Sequence, residues 1–144
     1  MKIIIEKLLE GEEEQMIVKS NNISPELLGI INTLKAQDNL LIAYRGNEIH
    51  RVNPADVYYV DTVDNKAFLY CQKHIYESKL KLYEIEALNI PDFTRISRSG
   101  IINLSKVKAL VPAMSGRLEA ILHNDERVII SRKYVTDLKH DLGM

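Results

Sequence analysis

From about residue 40 to residue 130 the chain never holds one hydrophobic period for long, and this constrains its fold more than any other feature. "LLIAY" and "EIHRV" flank "RGN"; "VYYVDT" and "AFLYCQ" flank "VDNK"; "HIYES" follows directly. Further on, "VKALV", "RLEAIL" and "RVIIS" are parted by "PAMSG" and "HNDE". Each run is short and rich in valine, isoleucine, leucine or tyrosine, and each ends on turn-forming residues. Strands recurring every 8–12 or so residues build an all-β core rather than alternating strand–helix units. The Gly-Asn of "RGN" marks a hairpin, and "NPAD" is turn chemistry. Two helical stretches interrupt the pattern. In "LKLYEIEAL", Leu82, Ile85 and Leu88 recur every three residues and stop ahead of Pro91. "RKYVTDLKHDL" closes the chain as a helix.

The first 39 residues read as a separate strand–strand–helix extension, with a β-domain over 40–144. "KIIIEKL" and "QMIVKS" are β-rich runs around the acidic turn "EGEEE". In "SPELLGIINTLKAQ", Ser24 is placed to cap, Pro25 to occupy the first helical position, and Glu26 to face the positive end of the helix dipole. Leu27, Ile30, Ile31 and Leu34 form one apolar stripe, which predicts packing on the β-core or a contact with another protein.

Composition is that of an ordinary globular chain, with 46% hydrophobic and 27% charged residues. One cysteine, Cys71, permits no internal disulfide and suits a reducing cytoplasm. The N-terminal apolar run is broken by Glu6 and Lys7, unlike a signal peptide, and no stretch reaches the length of a membrane span. The net charge of −1 hides a gradient. Residues 1–40 carry four Lys/Arg against seven Asp/Glu, whereas residues 93–144 carry nine against five. A polyanion would meet only the back end of such a chain.

Enzyme signatures are missing. "SRSG" lacks the context and ending of a phosphate loop, and there is no G-x-S-x-G elbow. His50, His74, His123 and His140 have no metal-ligand spacing. Glu84 and Glu86, two apart on a helix, face different ways. The expectation is a protein with no catalytic activity, cofactor, metal or small-molecule substrate.

What remains is an arginine pattern. Ile-Ser-Arg occurs twice, at 96–98 and 130–132, each time where a strand gives way to a loop or helix. Arg95 precedes the first copy and Lys133 follows the second. Hydroxyl and guanidinium groups together can donate to phosphate oxygens and to the O6/N7 edge of guanine. The first copy lies in "FTRISRSGIINLSKV", where buried-type residues alternate with polar and basic ones. That pattern suits equally an exposed strand face or a loop made to hold an anion.

Phe93, Arg95, Ile96, Arg98, Ser99, Ile101, Asn103, Leu104 and Val107, in that spacing, resemble the core signature of the LytTR DNA-binding domain. So does the ending formed by Ile129, Ser131, Arg132, Lys133, Tyr134, Val135, Leu138 and Lys139. "ADVYYVDTVDNKAFLY" is similar to the family's strand–loop–strand, and "SKLKLYEIEAL" to its following turn and short helix. The likeness runs in order from about Leu41 to Leu142.

The resemblance implies a mainly β fold of about ten short strands in small packed sheets, with few short helices. It implies a bacterial transcription regulator whose loops enter successive major grooves of double-stranded DNA at promoter repeats. Carried over by position, the DNA contacts are Asn65 and Lys66, Ser97 and Arg98, and Arg132 and Lys133, with Arg95 adding phosphate charge. Beside them Asp64 is acidic, which makes Lys66 the better anion ligand of its turn. Two positions depart from the family pattern. Ser97 stands where histidine is common, implying that the contact is either lost or replaced by a phosphate hydrogen bond, and Gly100 stands where a large residue is common, implying a more mobile loop. About 40 residues ahead of the motif are too few for a receiver domain, so the chain resembles stand-alone members. Partners implied on that basis are a second copy of the chain and a small membrane-protein regulator. Two other readings stay open: a protein-interaction module that has lost specific DNA binding, and an RNA-binding β-domain using Tyr58, Tyr59 and Tyr70. Against the latter, strict alternation predicts that Tyr58 and Tyr59 lie on opposite faces, with at least one buried.

Overall fold

The computed structural model describes residues 1–38 and 40–143, and within the first helix it leaves out the side chains of residues 32, 33 and 35–38. The boundary expected at residue 39 falls outside the described residues.

Ten short strands form among the described residues, the number the resemblance implies, and eight of them stand where the turn residues place them. β1 (Leu41–Arg45) and β2 (Glu48–Val52) turn at Gly46, whose φ of 61° is cheap only for glycine. β3 (Val57–Val63), β4 (Lys66–Cys71) and β5 (Ile75–Ser78) continue the meander. After a short helix over Leu82–Ala87 come β6 (Phe93–Arg95) and β7 (Gly100–Asn103), then β8 (Val107–Pro112), β9 (Leu118–Leu122) and β10 (Arg127–Ile130). All neighbours pair antiparallel, in a seven-stranded sheet of order β2-β1-β5-β4-β3-β7-β6 and a three-stranded sheet of order β10-β9-β8.

Three helices complete the chain: α1 (Pro25–Asp38), α2 (Leu82–Ala87) and α3 (Arg132–Asp141). The start of α1 is as read, with the Leu27 amide donating to Ser24 Oγ at 3.2 Å. Its apolar stripe is half covered: Leu27 and Ile31 are partly buried, Ile30 is 57% exposed, and the helix lies against the 3-10 turn Pro54–Asp56.

The two strands expected in the N-terminal extension do not form: no strand occurs among residues 1–23, and their side chains are exposed. A lone two-stranded hairpin is marginal in water without a third strand or a packed face. Neither "KIIIEKL" nor "QMIVKS" pairs with an edge of the seven-stranded sheet.

Two cores result. One, under α2, gathers Leu69, Ile85, Val60 and Ile101; the other lies between the sheets and α3 and gathers Ile96, Ile102, Leu122, Ile130 and Leu138. β7 feeds both, with Ile101 to one side and Ile102 to the other, and all four of its residues are buried. The expected separation of Tyr58 and Tyr59 gives way to a β-bulge. The β3–β4 register shifts between Val57 and Tyr59, so both rings turn to the second core. Tyr58 is the buried one, at 6% exposure.

The bulge also explains a buried polar residue. Ladder pairing between β3 and β7 runs only from Tyr59 to Asp61, which leaves the Val57 carbonyl outside it. Asn103, 3% exposed, donates its side-chain amide to that carbonyl at 2.8 Å, while its Oδ1 accepts from the Ser105 amide and hydroxyl. Asn103→Ala should therefore lower unfolding free energy by about 1–3 kcal/mol, since it strands a buried acceptor. Urea titration checks this, and an unchanged midpoint would refute the role given to Asn103.

Candidate nucleic-acid interface

The three segments singled out by sequence lie at different ends of strands, and backbone hydrogen bonds bring them together. At the tip of the β3–β4 hairpin, Asp64 and Asn65 form a two-residue loop with φ of 52° and 62°. Both angles positive is the turn type that suits the right-handed strand twist, and short polar side chains tolerate it. Lys81 Nζ donates to the Asn65 carbonyl at 2.9 Å and steadies the tip. The Asn65 side chain is exposed, and Lys66 stands beside it 3.6 Å from Glu77.

The second segment is the loop 96–99 between β6 and β7. Its ends are closed by the Ile96 amide donating to the Gly100 carbonyl at 3.0 Å, and its middle by the Ser99 amide donating to Ser97 Oγ at 3.2 Å. Arg95 does not project. Its Nε donates to the Ser97 carbonyl at 2.7 Å and one terminal nitrogen to the Arg98 carbonyl at 2.6 Å. The other terminal nitrogen lies 3.4 Å from Glu86 on α2. Arg95 thus spends its fork holding the loop, and Arg98, at the tip, is exposed with no side-chain partner among the described residues.

Gly100 has a different part from the one the resemblance implies. It is a buried strand residue opposite Asp61, and its φ lies outside the left-handed region. A Cβ there would sit 3.1 Å from Ser97 Oγ and 3.4 Å from Ile96 Cγ1. The glycine makes room for the folded-back Ser97 rather than lending freedom to the loop.

The third segment opens α3. Ser131 occupies the N-cap, and the first residues of the helix are Arg132 and Lys133, both exposed. Lys133 Nζ sits 5.7 Å from the Tyr134 ring centre. The stem of Arg132 runs past Gly116, where a Cβ would approach its Cδ to 3.0 Å.

Two hydrogen bonds join the three segments. The Thr62 amide donates to the Ser99 carbonyl at 2.9 Å, tying the β3–β4 tip to the loop. The Ser131 amide donates to the Ile96 carbonyl at 2.9 Å, tying the loop to α3. The β3–β4 hairpin, the loop 96–99 and the start of α3 are thereby tied to one another in that order.

Arg117 was missed by sequence reading. It is exposed, has no carboxylate partner among the described residues, and follows the Gly116 turn that packs on Arg132. The signal was present in the β9–β10 hairpin: Leu118 pairs with Ile130, so counting outward from "HNDE" sets Arg117 beside Ser131. Two further basic residues of the back half are neutralised locally, Lys108 by Asp125 and Arg127 by Glu119.

The tyrosines form no open platform. Tyr59 and Tyr70 stack on each other with ring centres 4.4 Å apart. Burial raises both hydroxyl pKa values, and the nearby Glu126 and Asp61 carboxylates raise them further. Cys71 is half-buried, with its thiol pushed up to about 11 by burial and then by Asp56. Among the described residues no group of three or more His, Cys, Asp or Glu could hold a metal ion, and no helix is long and apolar enough to cross a membrane.

Comparison with known proteins agrees with this architecture. The chain is 26% identical over 126 residues to an uncharacterised HTH-type transcriptional regulator of Staphylococcus aureus, covering 88% of this chain and 85% of that one. It is 27% identical over 143 residues to the sensory transduction protein LytT of Enterococcus faecalis, covering 98% of this chain and 59% of LytT. Among solved structures it matches the domain described as the LytTr DNA-binding domain of a methyl-accepting/DNA response regulator from Bacillus cereus. That match has a TM-score of 0.69 and 26% identity, and covers 73% of this chain and 97% of that domain. Among the described residues no two α-helices are joined by a short turn, since β1 to β5 separate α1 from α2 and β6 to β10 separate α2 from α3, so the helix-turn-helix label of the Staphylococcus relative finds no counterpart there. The family model for the LytTr DNA-binding domain matches residues 47–143, and the chain belongs to the LytTR family.

Proposed function

We propose that this chain is a cytoplasmic, non-catalytic transcription regulator that binds double-stranded DNA sequence-specifically through loops set in successive major grooves. The observation that carries this reading is the backbone linkage, through the Thr62–Ser99 and Ser131–Ile96 hydrogen bonds, of the three segments that bear Asn65 and Lys66, Ser97 and Arg98, and Arg132 and Lys133. Arg98 and Arg132 carry free guanidinium forks, suited to a bidentate grip on guanine or on adjacent phosphates. Lys66 and Lys133 supply point charge to the backbone, and Asn65 and Ser97 supply neutral donors. Arg95 acts one step back, by setting the loop that presents Arg98. RNA stacking is disfavoured, because the Tyr59–Tyr70 pair is self-stacked and flanked by the carboxylates of Asp61 and Glu126.

The exposed apolar residues of the N-terminal segment, Ile3 to Ile5 and Ile17 among them, suit a protein partner. A second copy of this chain is the first candidate and a small membrane-protein regulator the second. Ultracentrifugation on a two-site duplex should show two copies associating more tightly than two isolated sites allow; independent filling of the sites removes the second copy as partner.

Titration of Arg98→Ala against duplexes from the protein's own promoter region tests the reading edge. A loss of about 1–3 kcal/mol with relaxed base preference is expected, whereas Lys66→Ala and Lys133→Ala should weaken all duplexes alike and reduce the salt slope by about one unit each. Unchanged affinity and preference in Arg98→Ala would take that arginine out of the interface.

Arg95→Lys separates positioning from charge. Lysine keeps the charge but cannot hold both loop carbonyls in a fork, so affinity should drop by roughly tenfold with the salt slope unchanged. Full affinity in this variant would mean that Arg95 contributes charge alone.

A further inference from the structure

At the end of the seven-stranded sheet remote from the proposed DNA edge lies a cleft of about 350 Å³ that no part of the reading above uses. β2, the turn Pro54–Asp56, the start of β3, the β4–β5 turn and the residue before β8 all contribute to it. Its floor is buried Tyr58 and half-buried Cys71. The Cys71 amide donates to the His74 carbonyl at 3.0 Å, which fixes the turn carrying Lys73.

The charges around this cleft are unbalanced. Arg51, Lys73 and Lys106 line it, and none of them has a carboxylate within 4.0 Å among the described residues. Lys106 rests over the Tyr58 ring, 5.1 Å from its centre. Asp56 is the one acidic residue of the lining. Three cationic side chains lining one cleft against a single carboxylate favour a bound anion. His50 and His74 add ring walls on either side of Tyr76, with centres 5.0 and 6.2 Å from it. The volume lies at the small end of ligand sites, about 300–1,000 Å³, and exceeds what a bare phosphate needs.

We propose that this cleft is a binding site for a small phosphorylated molecule, separate from the DNA edge. The phosphate groups would lie among Arg51, Lys73 and Lys106, and the remainder of the molecule against Tyr58 and Cys71. Thr62, which joins the β3–β4 tip to the loop 96–99, lies about 13 Å further along β3 from Tyr58 at ordinary strand rise. One phosphate cannot serve both places.

Pyrophosphate titration of the full chain, followed by backbone amide shifts, tests the site. The largest shifts are expected at Tyr58, Cys71, Lys73 and Lys106, and the Arg51→Glu/Lys73→Glu double variant should bind at least about tenfold more weakly. Both altered side chains are exposed, so the unfolding midpoint should match the parent; if it falls, Lys73→Gln carries the test, with about threefold weaker binding expected. Shifts centred on residues 64–66, 97–98 and 132–133, or undiminished binding by the variants, would overturn the proposal. A second arm uses duplex DNA. The double variant should keep duplex affinity, and a parallel loss there would make the cleft a DNA-backbone contact instead of a small-molecule site. The first arm contains no DNA, so its outcome is independent of the DNA-binding reading.

Discussion

The hydrogen bond from the Ser131 amide to the Ile96 carbonyl is the joint on which the proposed reading edge depends. Ile96 leaves the seven-stranded sheet and is itself buried in the second core; Ser131 follows the last strand of the other sheet and begins α3. One peptide contact therefore sets the distance between the loop carrying Arg98 and the helix carrying Arg132. Were the sheets to slide, both arginines would remain on the surface but lose their common spacing. Base recognition is demanding of that spacing, because a bidentate contact tolerates errors of only a fraction of an ångström. The second core, with Ile102, Leu122, Ile130 and Leu138 all essentially inaccessible, makes the joint stiff.

Around the joint the arginines divide their labour by where their donors go. Arg95 satisfies two loop carbonyls and a carboxylate, and is only 21% exposed. Arg98 and Arg132 leave their forks unspent. An edge with fixed backbone and free guanidinium groups combines what affinity and selectivity each require: order in the scaffold and unsatisfied donors at the tips. Glu86 and Glu77 sit just behind, holding Arg95 and Lys66 without reaching the tips.

Much of this was legible in the sequence, for local reasons. Turn residues punctuate eight of the ten strands, β6 and β7 being the exceptions, and Ser24-Pro25-Glu26 announces α1. The N-terminal strands misled because "KIIIEKL" and "QMIVKS" have the composition of strands without a sheet to join, and pairing is not a local property. The bulge at Tyr58 left no trace either, because one extra residue in a run of valine and tyrosine does not alter its character. Arg95 and Arg98 look alike in "TRISR"; only the path of the loop decides which one turns inward. Arg117 was within reach, since the hairpin register brings it beside Ser131.

The close approach of Gly100 to Ser97 has a consequence for how such an edge can diverge. A side chain at position 100 would press on the hydroxyl of Ser97 while Ser97 is folded back onto its own loop, and that hydroxyl would have to give by a few tenths of an ångström. The coupling runs one way: a side chain gained at 100 crowds Ser97, whereas the bare glycine puts no obstacle before a change at 97. A change at 97 that withdraws the hydroxyl clears the way for a side chain at 100, and the reverse order begins with a crowded loop.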